Sequence, residues 1–178
     1  RHSFPTRRSS DLLLWGAAPR ASLGSVPAVV ETERHRFEVL PAPGHCEDQV
    51  VLFERAQGWL FSGDAFLASR VKYFRADEDF AASVRSLERL CALPFDALFC
   101  AHRPVPQGGR EALRRKLERL REIEGQVRAL HARGLPLGQI TRRVLGREEW
   151  LPYLLTAGDA SKRNMVRAIL HGPVPRRR

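Results

Sequence analysis

His45, Asp64 and His102 are the side chains whose types and placement could do chemistry together. Each follows a short run of β-forming residues directly or within a few positions, in a loop tightened by proline or glycine. Pro41-Ala42-Pro43-Gly44 precedes His45, Gly63 precedes Asp64, and Arg103-Pro104 follows His102. The strand ends of an α/β sheet are where side chains far apart in sequence meet at one edge. Two imidazoles and a carboxylate suit a divalent metal such as zinc, manganese or iron. A carboxylate can also bridge two ions, which at about 3.5–4 Å apart can hold a hydroxide nucleophile and stabilise a developing oxyanion. Each residue also has an ordinary role open to it: a loop histidine satisfied by its neighbours, or a turn aspartate accepting backbone N–H groups. Cys46 and Cys100 flank these positions as thiolate ligands or as buried reduced thiols. Asp48 either orients the His45 ring or serves a turn. Arg70, Lys72 and Tyr73, in the stretch after Asp64, either hold a substrate carboxylate or phosphate or line a solvated loop.

The elements that must position these residues are legible in the spacing. Residues 26–30 form at most a short strand, and residues 37–40 form a strand that stops at Pro41. Residues 50–54 and 59–62 are two apolar runs joined by Arg55-Ala56-Gln57-Gly58, which predicts a β-hairpin. Phe80, Val84, Leu87 and Leu90 predict a helix over 77–93, with Asp77, Glu78 and Asp79 at its N-terminal end where the helix dipole favours anions. Residues 97–100 are a further short strand. Strand, helix and strand in this order predict a layered α/β body over residues 13–108. A helical module over 109–172 follows. Leu113, Leu117, Leu120, Ile123, Val127 and Leu130 form one long amphipathic stripe ended by Gly134 and Pro136. A second helix covers 137–145, and Ser161 caps a third running to about Leu170. Residues 173–178 are a basic tail.

A length of 178 residues suggests about one domain. With 43% hydrophobic and 28% charged residues the composition is that of a folded globular chain, not of a disordered or fibrous one. No apolar run reaches the roughly 18–20 residues that cross a bilayer, so no membrane partner is expected. Cys46, Cys91 and Cys100 are odd in number and lack a Cys-x-x-Cys spacing, which points to a reducing, cytoplasmic setting. The net charge of +10 is unevenly spread: residues 1–110 carry 14 Lys and Arg against 13 Asp and Glu, and residues 111–178 carry 16 against 7. The basic end therefore needs its own explanation. Residues 134–146 resemble a helix-turn-helix segment, and Ser161, Lys162, Arg163, Asn164 and Arg167 could offer phosphate contacts, so a nucleic-acid-binding or nuclease protein is the competing class. The plainer reading is a helical cap that packs on the body, closing its pocket or forming a homodimer surface. Residues 1–12 have no initiating Met, no periodicity and no apolar core of a signal peptide. From His2 to Leu12 they resemble one reading frame of a common short-read sequencing adapter, and the native chain is expected to continue upstream of about Leu13.

Pro41-Ala42-Pro43-Gly44-His45, Trp59-Leu60-Phe61-Ser62-Gly63-Asp64, the helix with Ser86, Leu87 and Leu90, and Phe99-Cys100-Ala101-His102 together resemble the second half of the metallo-β-lactamase fold hydrolases. The likeness covers roughly residues 37–103 and lies closer to the glyoxalase II-like and general hydrolase branches than to the antibiotic-degrading one. It implies an α/β fold: the C-terminal half of an αββα sandwich, followed by a helical C-terminal extension. It also implies that His45 completes a first metal site, that Asp64 bridges two ions, zinc or else iron or manganese, and that His102 belongs to the second. The activity implied is attack by a metal-bound hydroxide on an ester, thioester or related bond of a small-molecule substrate, with Asp64 as the catalytic carboxylate. One departure matters. The family's His-x-His-x-Asp-His motif supplies most ligands, and none of the six histidines here stands in a His-x-His pair. A catalytic zinc keeps about three protein ligands. The expectation is a chain that is inactive as given, with an enzyme as its parent.

Overall fold

In a computed structural model of the chain, the structure describes residues 25–66, 74–100, 103–148, 156 and 159–174. Five strands form the main sheet: β1 (Val29–Glu31), β2 (Arg36–Pro41), β3 (Val50–Glu54), β4 (Trp59–Gly63) and β6 (Ala97–Cys100), in the order β1-β2-β3-β4-β6. Neighbours are antiparallel except β4 and β6, which run parallel and are joined through helix α1 (Phe80–Cys91). A parallel pair needs such a crossover, so α1 is laid against one face of the sheet. The helical part contains α2 (Gly109–Ala132), α3 (Leu137–Val144) and α4 (Lys162–His171). Strands β5 (Phe74–Arg75) and β7 (Ala160–Ser161) pair antiparallel and bring the start of α4 to the segment before α1.

The two faces of the sheet are both apolar. On one, Val51, Phe53, Leu60 and Leu98 are buried in a single core with Leu87 and Leu90 of α1 and Leu113, Leu117 and Leu120 of α2. That core continues without a break to Ile140 of α3 and to Met165 and Val166 of α4. On the other face Phe37, Leu52, Trp59, Phe61 and Phe99 are half-buried, and the Phe61 ring stacks on Phe99 at 4.8 Å and meets Phe37 edge-on at 5.8 Å. An antiparallel sheet with one solvated face alternates apolar and polar residues. This one does not: both of its faces carry apolar side chains. Among the described residues no helix is long and apolar enough to cross a membrane.

The expected elements form with small shifts at their ends. The hairpin places Leu52 opposite Phe61 and Glu54 opposite Trp59. The helix expected over 77–93 starts only at Phe80, because Asp79 is its cap: its carboxylate accepts the Ala82 N–H at 2.8 Å, and no acidic residue lies in the first turn. Asp77 and Glu78 thus lie outside the helix they were expected to open. Pro136 does not end α2; with Gly134 at φ +77 already turning the chain, Pro136 caps α3.

Candidate metal centre

The loop between β2 and β3 carries His45, and α1 holds that loop in place. The Ser86 hydroxyl donates to the Pro43 carbonyl at 2.8 Å, the Arg89 guanidinium to that of Pro41 at 3.0 Å, and the Asp79 N–H to that of Gly44 at 2.8 Å. Gly44 packs so closely on α1 that a Cβ would lie 2.6 Å from Ser83 Cα, and its φ of +151° is one few other residues adopt. The prolines end the strand, the glycine permits the close approach, and His45 follows directly. Asp64 is reached differently. The register of β4 against β6 shifts between Phe61 and Gly63, Gly63 takes a φ of +50°, and the Ala65 N–H closes the turn onto the Ser62 carbonyl at 3.0 Å. A bulge at a strand end re-aims the next side chain.

These two loops bring Nε2 of His45 within 3.6 Å of Oδ2 of Asp64. On the other side of the ring, Nδ1 lies 3.0 Å from Oε1 of Glu78. An ionised carboxylate only accepts, so Nδ1 carries a proton toward Glu78, while Nε2 faces the second carboxylate, Asp64. Glu78 is itself fixed by the Arg75 N–H, which donates to the same oxygen at 3.4 Å. The hydrogen bond that His45 donates to Glu78 raises the His45 pKa above its ordinary value; burial opposes it, and the charges of Glu78 and Asp64 add to the rise. Asp64 is the open member of the group, its side chain 42% exposed against 28% for His45.

The pair fits a divalent metal. Metal–ligand bonds of about 2.0–2.2 Å place two donors of one tetrahedral ion roughly 3.4 Å apart, close to the 3.6 Å found. A metal-binding histidine also gives its second ring N–H to a carboxylate or carbonyl as a rule, which fixes tautomer and ring orientation. Glu78 fills that role. Of the two roles open to Asp48, orienting the ring falls instead to Glu78: Asp48 and His45 share a loop, but Nδ1 meets the carboxylate arriving from the segment before α1. Among the described residues no group of three or more His, Cys, Asp or Glu is placed to hold an ion. His102, Arg70, Lys72 and Tyr73 lie outside the described residues. Cys100 turns its thiol to its own strand end, donating to the Arg103 carbonyl at 3.0 Å and accepting the Arg103 N–H at 3.2 Å, which suits the reduced thiol of the two roles open to it. Cys46 is half-buried and forms no disulfide.

Of the residues that could offer phosphate contacts, Ser161, Lys162 and Asn164 are engaged inside the fold. Glu148 accepts the Ser161 hydroxyl at 2.7 Å and the N–H groups of Lys162 and Arg163 at 3.0 and 2.7 Å, occupying the N-terminus of α4 with a carboxylate. Lys162 donates its ammonium to the Arg147 carbonyl at 2.7 Å, and Asn164 donates to the carbonyls of Phe74 and Asp159 at 3.2 and 2.7 Å.

Residues 25–102 match the family model described as the metallo-beta-lactamase superfamily. Among solved structures, the chain is similar to a beta-lactamase domain protein of Burkholderia ambifaria, with 20% identity and a TM-score of 0.69 over 90% of this chain and 49% of that one. A metallo-beta-lactamase family protein of Thermus thermophilus gives 20% identity and a TM-score of 0.59 over 86% of this chain and 51% of that one. A stereoselective inverting sec-alkylsulfatase of Pseudomonas sp. gives 16% identity and 0.56 over 85% of this chain and 26% of that one. The chain spans about half the length of the first two.

Proposed function

Residues 25–102 of this chain match the metallo-beta-lactamase superfamily, and on that premise we propose that it carries part of the active centre of a metal-dependent hydrolase acting on an ester, thioester or related bond of a small molecule. The observation that carries this reading is the sequence of contacts Glu78–His45–Asp64, with a carboxylate on one ring nitrogen and a second carboxylate facing the other. His45 would hold a divalent ion, zinc or else iron or manganese, through Nε2, and Asp64 through its carboxylate. A bound divalent ion would supply Lewis-acid stabilisation of the developing oxyanion and a more acidic water. Glu78 keeps the ring in the tautomer that leaves Nε2 free. Asp64, open to solvent, orients the attacking water and receives its hydrogen bond. His102 stays in the proposal as a ligand of a second ion.

The donors present fall short of the roughly three protein ligands a catalytic zinc keeps, and the sequence has no His-x-His pair. The chain as given is therefore proposed to be inactive alone, the remaining donors coming from a longer parent. Cys46, Cys91 and Cys100 form no disulfide, which accords with a cytoplasmic setting. The test is to extend the coding sequence upstream from its source DNA and assay the longer chain on ester and thioester substrates beside its Asp64→Asn variant. Turnover in the longer chain that falls by orders of magnitude in the variant is expected. Near-normal turnover in the variant would remove Asp64 from its role.

A further inference from the structure

We propose that Lys116 of α2 is a positioning residue that clamps the turn carrying Asp64, making the helical module a working support of the candidate centre; this rests on the reading of that centre given above. Lys116 lies on the inward side of α2, between Leu113 and Leu120 and beside Leu117, where the helix buries leucines against the sheet. Lys116 is half-buried, and a charge drawn that far from water is met by a partner. Its charge is met by the turn. The ammonium donates to the Ala65 carbonyl at 3.2 Å and stands 5.5 Å from the centre of the Phe66 ring, a cation–π contact in a desolvated place. The same turn is closed by the Ala65 N–H on the Ser62 carbonyl at 3.0 Å. Ser62 is fully buried and its hydroxyl donates to the Phe99 carbonyl at 3.4 Å. The residue after Asp64 is thus held by its amide from the strand side and by its carbonyl from the helix side.

A second line joins Lys116 to the site. Burial draws its ammonium down to about 8, while the carboxylate of Glu78 and the thiol of Cys100 act to keep it charged. The carboxylate felt by Lys116 is the one that orients His45. The contact that Lys116 makes is with the Asp64 turn, and it arrives from a helix lying well after that turn in sequence. A methionine would fill the same space with no charge to desolvate, so a lysine gains its place by what it holds.

The test uses the full chain with Lys116→Met and Lys116→Arg, read by amide hydrogen exchange and by zinc titration. In Lys116→Met, exchange at Ala65 should rise about tenfold or more while the amides of Leu113 and Val127 stay protected. Zinc affinity should fall by several fold, and Lys116→Arg, which keeps a cationic donor, should restore part of both. Unchanged exchange at Ala65 in Lys116→Met would overturn the proposal. So would equal loosening along the whole of α2, which would mark Lys116 as packing alone. If the unsubstituted chain binds no zinc, the metal reading falls and the Ala65 exchange decides the clamp by itself.

Discussion

Oε1 of Glu78 lies 3.0 Å from Nδ1 of His45, so the ring that faces Asp64 is oriented by a carboxylate from the segment leading into α1. Carboxylates that orient metal-binding histidines contribute about 10–100-fold to metal affinity. Glu78→Ala should therefore weaken divalent metal binding by about that factor, with a smaller loss for Glu78→Gln, which retains an accepting oxygen for Nδ1–H. Competition with a chromophoric chelator measures this directly.

Lys116 links stability to alkaline pH. Its pKa in the folded chain, about 8, lies below the 10.5 of an unperturbed lysine, so between these values the unfolded chain binds the extra proton and stability rises with pH. Lys116→Met removes the buried charge and should be at least as stable as the unsubstituted chain at pH 7. As pH rises from about 8 toward 10, the unsubstituted chain should gain on the variant. Urea midpoints of the two chains at matched pH values give the comparison.

Glu148 gathers the Ser161 hydroxyl and two N–H groups at the start of α4. Losing a helix cap costs about 0.5–2 kcal/mol, and Glu148→Ala should destabilise the chain within that range. Because α4 shares the core through Met165 and Val166, the loss should appear in the main unfolding transition by circular dichroism, not as a separate melting of the last helix.

Gly44 has no room for a side chain: a Cβ would lie 2.6 Å from Ser83 Cα. Gly44→Ala must displace the loop from α1 and adopt a strained φ, for a cost of about 1–3 kcal/mol. The same displacement should lower metal affinity through His45, which a mere loss of global stability would not do under native conditions. Chemical denaturation paired with metal titration separates the two effects.

Much of this architecture follows from local pattern. The hairpin of β3 and β4 shows in two apolar runs around Arg55–Gly58, and Ser161 announces α4 because a hydroxyl is what a first turn needs. Proline and glycine mark the strand ends that carry His45 and Asp64, but the choice of these two residues rested on the family resemblance of the segments around them. Glu78 was not legible. Asp77, Glu78 and Asp79 look alike as acidic residues before a helix, yet only Asp79 caps it, and Glu78 meets His45 because Gly44 lets a distant loop settle against Ser83. Lys116 was hidden among the arginines of α2, although its place three residues after Leu113 already set it on the buried stripe. The basic start of α4 left two readings open for a related reason: a helix N-terminus that could bind phosphate has the same composition as one filled by a carboxylate, and Glu148 lies well before it in sequence. The β5–β7 pairing joins two dipeptides far apart in the chain, and no local periodicity marks it.

The most direct test of the centre is a zinc titration calorimetry series on the metal-free chain beside His45→Ala and Asp64→Asn. Fewer than two tightly held equivalents are expected in the unsubstituted chain. Either substitution should weaken binding about tenfold or more, since each removes one of two donors 3.6 Å apart. Two tight equivalents, or an affinity that neither substitution alters, would contradict the assignment of His45 and Asp64 as a partial metal centre.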